Sequence, residues 1–69
     1  MRFTHDPQAD AAKIYLVDAI QSGEVKKSHV CDIEQANASI ILDFDSLDRL
    51  VGIEILGASK ILPERMLEE

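Results

Sequence analysis

Apolar and polar positions alternate with period two along several parts of this chain. The clearest is residues 38–56, ASIILDFDSLDRLVGIEIL. Ile40, Leu42 and Phe44 alternate with Ile41, Asp43 and Asp45; after a polar break, Val51, Ile53 and Ile55 alternate with Gly52, Glu54 and Leu56. β-Branched residues at this period predict strands. Asp45, Ser46, Leu47 and Asp48 lie between the runs and have turn chemistry, because Asp bonds its own backbone and tolerates the left-handed conformation. The stretch therefore predicts a β-hairpin. Pairing Phe44 with Arg49, Leu42 with Val51 and Ile40 with Ile53 collects the strongly apolar positions on one face. A slip of one residue would set Asp43 against Val51 and Leu42 against Gly52, sending the hydrophobic set to the wrong side. The opposite face, with Ile41, Asp43, Leu50, Gly52, Glu54 and Leu56, is half polar, so partial cover is expected there.

Weaker alternation marks three further strands. Residues 2–5 are short and extended, and Asp6-Pro7 then favours a tight turn. Residues 12–17 follow, with Ala12, Ile14 and Leu16 facing the core and Lys13 and Tyr15 facing out. A helix over residues 7–20 is the rival reading, supported by its alanines, but Ile14-Tyr15-Leu16-Val17 is densely β-preferring. Residues 24–31 form the weakest strand, and adjacent Lys26 and Lys27 suit an exposed edge. Pro63 is acceptable at the first position of a helix, where Glu64 is favourable near the helix start. One short helix is therefore expected over residues 63–69. The fold class is α+β: a small antiparallel meander of four or five strands with a C-terminal helix, in one domain spanning residues 1–69.

Composition narrows the picture. A chain of 69 residues has room for one thin core. Its single cysteine, Cys31, cannot form an internal disulfide, and no cluster of zinc ligands stands in its place. Self-association is the remaining common support, so a homodimer is expected. No apolar run is long enough to cross a membrane as a helix, and the N-terminal residues lack an apolar signal segment; a reduced, cytoplasmic setting is the expectation. The net charge of −6 argues against a nucleic-acid surface, which needs cations to displace counterions. The charge is uneven: residues 1–31 hold four acidic and four basic residues, whereas residues 32–54 hold six acidic residues and only Arg49 as a base.

His5-Asp6-Pro7-Gln8-Ala9-Asp10-Ala11, then Ile14 and Leu16, then Ile41-Leu42-Asp43-Phe44-Asp45 and Arg49-Leu50-Val51-Gly52-Ile53-Glu54-Ile55-Leu56 together resemble a prokaryotic family, domain of unknown function 2283. The resemblance covers nearly the whole chain. The family usually has Tyr where His5 stands and Gly where Asp48 stands; Asp can take the left-handed backbone that such a Gly supplies. The family implies no activity, cofactor or catalytic residue. Its members are small and often encoded beside another small protein, which implies a toxin–antitoxin-like pairing.

Candidate chemistry is sparse. Asp43, Asp45 and Glu54 match positions 1, 3 and 12 of a calcium loop, but Leu47 falls where a ligand is needed and Asp48 replaces the glycine. In the expected register Glu54 lies four residues beyond the partner of Asp43, roughly 13 Å away at ~3.3 Å per residue. His29 and Cys31 share a strand face, yet two ligands make no zinc site, and a nucleophilic Cys31 would need an orienting third group. No catalytic residue, metal or cofactor is assigned. Glu54 is either a solvated outward residue or a buried carboxylate with a partner; Leu50 and Leu56 flanking it on the same face favour the second, with Arg2, Lys13 or Arg49 as the partner. The expected function is a non-enzymatic protein-interaction module, antitoxin-like, with Asp43, Asp45, Asp48 and Glu54 meeting a small basic protein encoded nearby. The alternative is a small enzyme or ligand-binding domain that uses Asp43, Asp45 and Glu54.

Overall fold

A computed structural model describes residues 1–68. Five strands form one antiparallel sheet: β1 (Arg2–Asp6), β2 (Ala11–Tyr15), β3 (Lys27–Ile33), β4 (Ala38–Phe44) and β5 (Leu50–Leu56), in the order β1-β2-β5-β4-β3. The hairpins β3–β4 and β4–β5 make a meander, and the hairpin β1–β2 adds to the free side of β5. Two short helices follow, α1 (Ala58–Ile61) and α2 (Glu64–Leu67). The molecule is a slab of 33 × 27 × 17 Å. Among the described residues, no helix is long and apolar enough to cross a membrane.

The central hairpin forms where the alternation placed it, but its register differs from the expected one by two residues. Ile40 pairs with Ile55, Leu42 with Ile53 and Asp43 with Gly52, while Phe44 pairs with Leu50. Two separate one-residue shifts add up to this. The loop is tighter than assumed, because Asp45 N–H donates to Arg49 O at 2.9 Å and Asp48 takes the left-handed backbone (φ 61°). A bulge then leaves Val51 without a partner on β4, and Val51 O accepts instead from Leu16 N–H at 3.0 Å. One shift alone would have exchanged the faces; two restore them.

Pairing defines the faces. The first carries Phe3, Ala12, Ile14, Ile33, Ala38, Ile40, Leu42, Ile53 and Ile55, and is the side on which Ile61, Leu62 and Leu67 pack. The second carries Thr4, Lys13, Tyr15, Ser28, Asp32, Ile41, Asp43, Gly52, Glu54 and Leu56. Residues 16–26 connect β2 to the far edge strand β3 and supply the partial cover expected on the second face. Ile20 lies over Gly52: a Cβ there would sit 2.9 Å from Ile20 Cδ1. The buried apolar side chains are small or few: Ala12, Ala38, Val51, Ile55 and Ala58.

Three expectations change in detail. The third strand runs Lys27–Ile33 rather than over residues 24–31; Glu24 and Gln21 instead bond each other in a turn. The C-terminal segment holds two helices instead of one beginning at Pro63, and Glu69 lies outside the described residues. The additional helix, α1, is capped from far along the chain. Asp10, left-handed at φ 51° in the β1–β2 turn, accepts from Ser59 N–H and Ser59 Oγ–H, both at 2.8 Å. Asp10 O also accepts from Gly57 N–H and Ala58 N–H, so the turn of one hairpin closes the otherwise unsatisfied helix start. Finally, Phe44 and Ile53, expected in the core, are half-buried; Val51 and Ile55 occupy it.

Candidate functional site

Two features of the sheet carry chemistry, one on each face. On the first face an open apolar groove of about 410 Å³ runs between the sheet and the C-terminal helices, walled by Ile33, Ile40, Leu42, Ile53, Ile55, Ile61 and Leu62. It exists because α1 and α2 have four residues each and cannot span a sheet of this width. The strand positions on this face include Lys27 and His29 but no carboxylate; Asp6, Asp32, Asp43 and Glu54 all fall on the second face.

On the second face Asp43 is buried, with 1% of its surface exposed. Its Oδ1 accepts from Ser28 Oγ–H at 2.7 Å, and Oδ2 has no hydrogen-bond partner among the described residues. Glu54 stands two residues along β5 from Gly52, the residue opposite Asp43, and directly opposite Lys13 of β2. The Asp43 carboxyl beside it holds the Glu54 carboxyl above its ordinary value of 4.5, chiefly by favouring a shared hydrogen bond, with burial adding to this and Lys13 opposing it. The separation of about 13 Å expected for these two acids is thus overturned by the two-residue change in register. Lys13 was among the expected partners of Glu54; Asp43 was not.

The other acids serve the backbone. Asp45 Oδ1 accepts from Leu47 N–H at 2.9 Å and Arg49 N–H at 3.0 Å, and its Oδ2 lies 3.5 Å from Arg49 Nε. The Arg49 amide bond holds the Asp45 carboxyl below the usual range, against a smaller opposing contribution from burial. Asp48 is exposed and pairs with Lys27 at 2.6 Å across the hairpin ends. The four acids singled out in the sequence therefore divide: Asp43 and Glu54 come together under partial cover, whereas Asp45 and Asp48 belong to the loop. Asp10 was missed, and its carboxyl is also held low, first by the Ser59 hydroxyl and then by the Ser59 amide.

His29 and Cys31 share the first face, opposite Leu42 and Ile40 on the edge strand, and Asp32 turns to the second face to accept from Ser39 Oγ–H at 2.8 Å. Among the described residues no three His, Cys, Asp or Glu side chains converge as metal ligands. Arg2 lies 4.0 Å from the Tyr15 ring centroid and Lys13 5.1 Å from it, so the outer end of the second face is a small cationic and aromatic cluster.

Neither a curated protein nor a solved structure matches the chain. A family described as "Protein of unknown function (DUF2283)" matches over residues 2–59, a span that takes in the whole sheet and the start of α1. With nearly all of its folded residues inside that match, the chain belongs to the DUF2283 family.

Proposed function

We propose that the chain is a non-catalytic protein-interaction module that works as a homodimer through the first face of its sheet. The observation that carries this reading is the open groove between Ile40, Leu42, Ile53 and the C-terminal helices. Apolar surface of this kind is stabilised when removed from water, at about 25 cal/mol per Å². A second copy fits on electrostatic grounds. Each copy carries a net charge of −6, and the strand carboxylates lie on the face turned away from such an interface. The broad side of the slab, 33 × 27 Å, has the dimensions needed for the roughly 800 Å² that each partner contributes to a standard interface. Sedimentation velocity over a dilution series tests the reading. Wild type should sediment as a dimer, and Leu42→Lys should give a folded monomer; a wild-type monomer throughout the micromolar range refutes it.

The same segregation of charge favours a second reading. The second face would be left outward in the dimer, where a small basic protein encoded nearby would meet it in an antitoxin-like complex. Asp43 has too little exposed surface to contribute directly and Asp48 pairs with Lys27 at the loop, so Asp32 and Glu54 would supply the contact. Co-purification with the neighbouring gene product at low salt tests this. Loss of the complex in Asp32→Asn with Glu54→Gln supports it, and an unchanged complex refutes the charge-based mechanism.

A further inference from the structure

We propose that Asp43 and Glu54 hold one proton between them, and that losing it as pH rises releases residues 16–26 from the second face of the sheet. The geometry begins with a buried oxygen. Ser28 has one hydroxyl proton and gives it to Asp43 Oδ1, which leaves Oδ2 without a donor in a residue that is 1% exposed. An acceptor in that position is costly unless it is supplied with a hydrogen. Glu54, diagonally across the β4–β5 pair, supplies one when it carries a proton. A hydroxyl bonded to a carboxylate is among the stronger hydrogen bonds available to side chains.

Ionising both groups removes that donor and sets two negative charges together, one of them shut off from water. The charges acting on Glu54 are Asp43 from β4 and Lys13 from β2. Lys13 Nζ is also drawn towards the Tyr15 ring, which Arg2 of β1 shares. From β3 the contact is the uncharged Ser28, and Glu24 in the connection turns back to accept from Gln21 N–H. Lys13 therefore offsets part of one charge and leaves Asp43 Oδ2 unserved. Hydrating Asp43 is the remaining relief. Ile20 obstructs it, because Ile20 packs on Gly52, the residue directly opposite Asp43.

The connection is built to give way. Backbone bonds tie it to the sheet at its two ends, Leu16 N–H to Val51 O and Lys26 N–H to Phe44 O. Among the described residues, the stretch between them has no hydrogen bond to the sheet; its bonds are internal, between Gln21 and Glu24. A segment held by a few half-buried apolar side chains, Val17, Ile20 and Val25, and two terminal bonds belongs to the low-stability end of a fold and can open without the rest.

Amide hydrogen exchange on the full chain, normalised for the intrinsic pH dependence of exchange, tests the proposal. In wild type, the hydrogen-bonded amides of the segment, those of Leu16, Gln21, Glu24 and Lys26, should lose protection above the Glu54 titration by up to about tenfold per pH unit, the limit set by one proton. Amides of β5 should keep theirs. Glu54→Gln, whose amide donates at every pH, should flatten the profile. Asp43→Asn should also flatten it and return Glu54 to ordinary titration in carboxyl carbon NMR, so this variant decides the matter if Glu54→Gln fails to fold. A flat wild-type profile, or an unchanged slope in Asp43→Asn, overturns the proposal. So does recovery of protection on adding calcium or manganese, which would make the pair a cation site.

Discussion

Replacing Ile55 by Ala probes the centre of the fold. Ile55 is 3% exposed, pairs with Ala12 on one side and Ile40 on the other, and packs against Ala58 at the start of α1. The substitution removes three methylene-sized groups, about 2.4 kcal/mol at about 0.8 each. The buried neighbours Ala12 and Ala58 are too small to fill the gap, and the larger side chains around them, Ile40, Ile61 and Leu62, are spaced by an open groove, so a cavity contribution adds to the loss. The total should be about 3–4 kcal/mol, within the range for such truncations. A domain of this length has only about 3–10 kcal/mol in all, taking about 0.05–0.15 per residue, so the variant should be close to unfolding at room temperature. Leu47→Ala is the control, at a loop tip that is 68% exposed, and should change stability by less than about 0.5 kcal/mol. Urea unfolding followed by far-ultraviolet circular dichroism measures both, at several protein concentrations because dimerisation would couple to the transition. Equal losses at Leu47 and Ile55 would refute the assignment of faces.

Gly57→Ala should cost more than Gly23→Ala although both glycines are left-handed, because a Cβ at Gly57 meets Ala38 Cβ at 3.1 Å and Asn37 O at 3.2 Å while one at Gly23 meets nothing within 4 Å; thermal unfolding ranks the pair, and the strain common to both is about 1–2 kcal/mol. Asp10→Ala should unravel α1 while leaving the sheet, read as loss of the Ser59 amide shift in NMR. In wild type, the contribution of Asp10 is present above its ordinary value of 3.8 and lost as pH falls through its lowered one, because the unfolded chain takes up the proton first. Glu54 has the opposite sign: its raised value makes its stabilisation complete below 4.5 and lost as pH rises through the folded value. Glu54→Gln should therefore raise the melting temperature at neutral pH relative to wild type, and a variant that melts at or below wild type at neutral pH contradicts this.

The strands were legible because alternation is a local property: each residue of β4 or β5 shows its face through its own polarity. Register was not, because it turned on two one-residue events. Asp48 closing a tighter loop and Val51 bulging opposite Phe44 each leave the hydrophobic pattern looking the same. Gly52 does signal a bulge or a close approach, since glycine inside a strand often marks one, and both are found beside it, but the signal does not say by how much the pairing shifts. The carboxyl pair was hidden for the same reason: Asp43 and Glu54 were assigned to one face, but at a spacing that kept them apart. Helix α1 was hidden by distance. Four residues make a poor helix alone, and the side chain that caps it lies 49 positions earlier, in the β1–β2 turn.

A net charge of −6 invites an electrostatic account of function, yet several acids have local structural work that does not depend on any partner. Asp6 accepts from Gln8 N–H and Ala9 N–H, Asp10 from Ser59, and Asp45 from Leu47 N–H and Arg49 N–H. In each case the acceptor oxygen holds a turn or a helix start, and asparagine retains such an oxygen without the charge. Replacing these three by Asn would therefore remove half of the net charge while keeping the geometry of the turns. Asp32 and Asp48 are different: both are exposed, and their partners are a single serine hydroxyl and a single lysine on the surface, contacts of small energetic weight. Binding that depends on overall charge should respond to both groups alike. Binding through the second face should respond to Asp32 and ignore the turn acids, since they lie outside the contact.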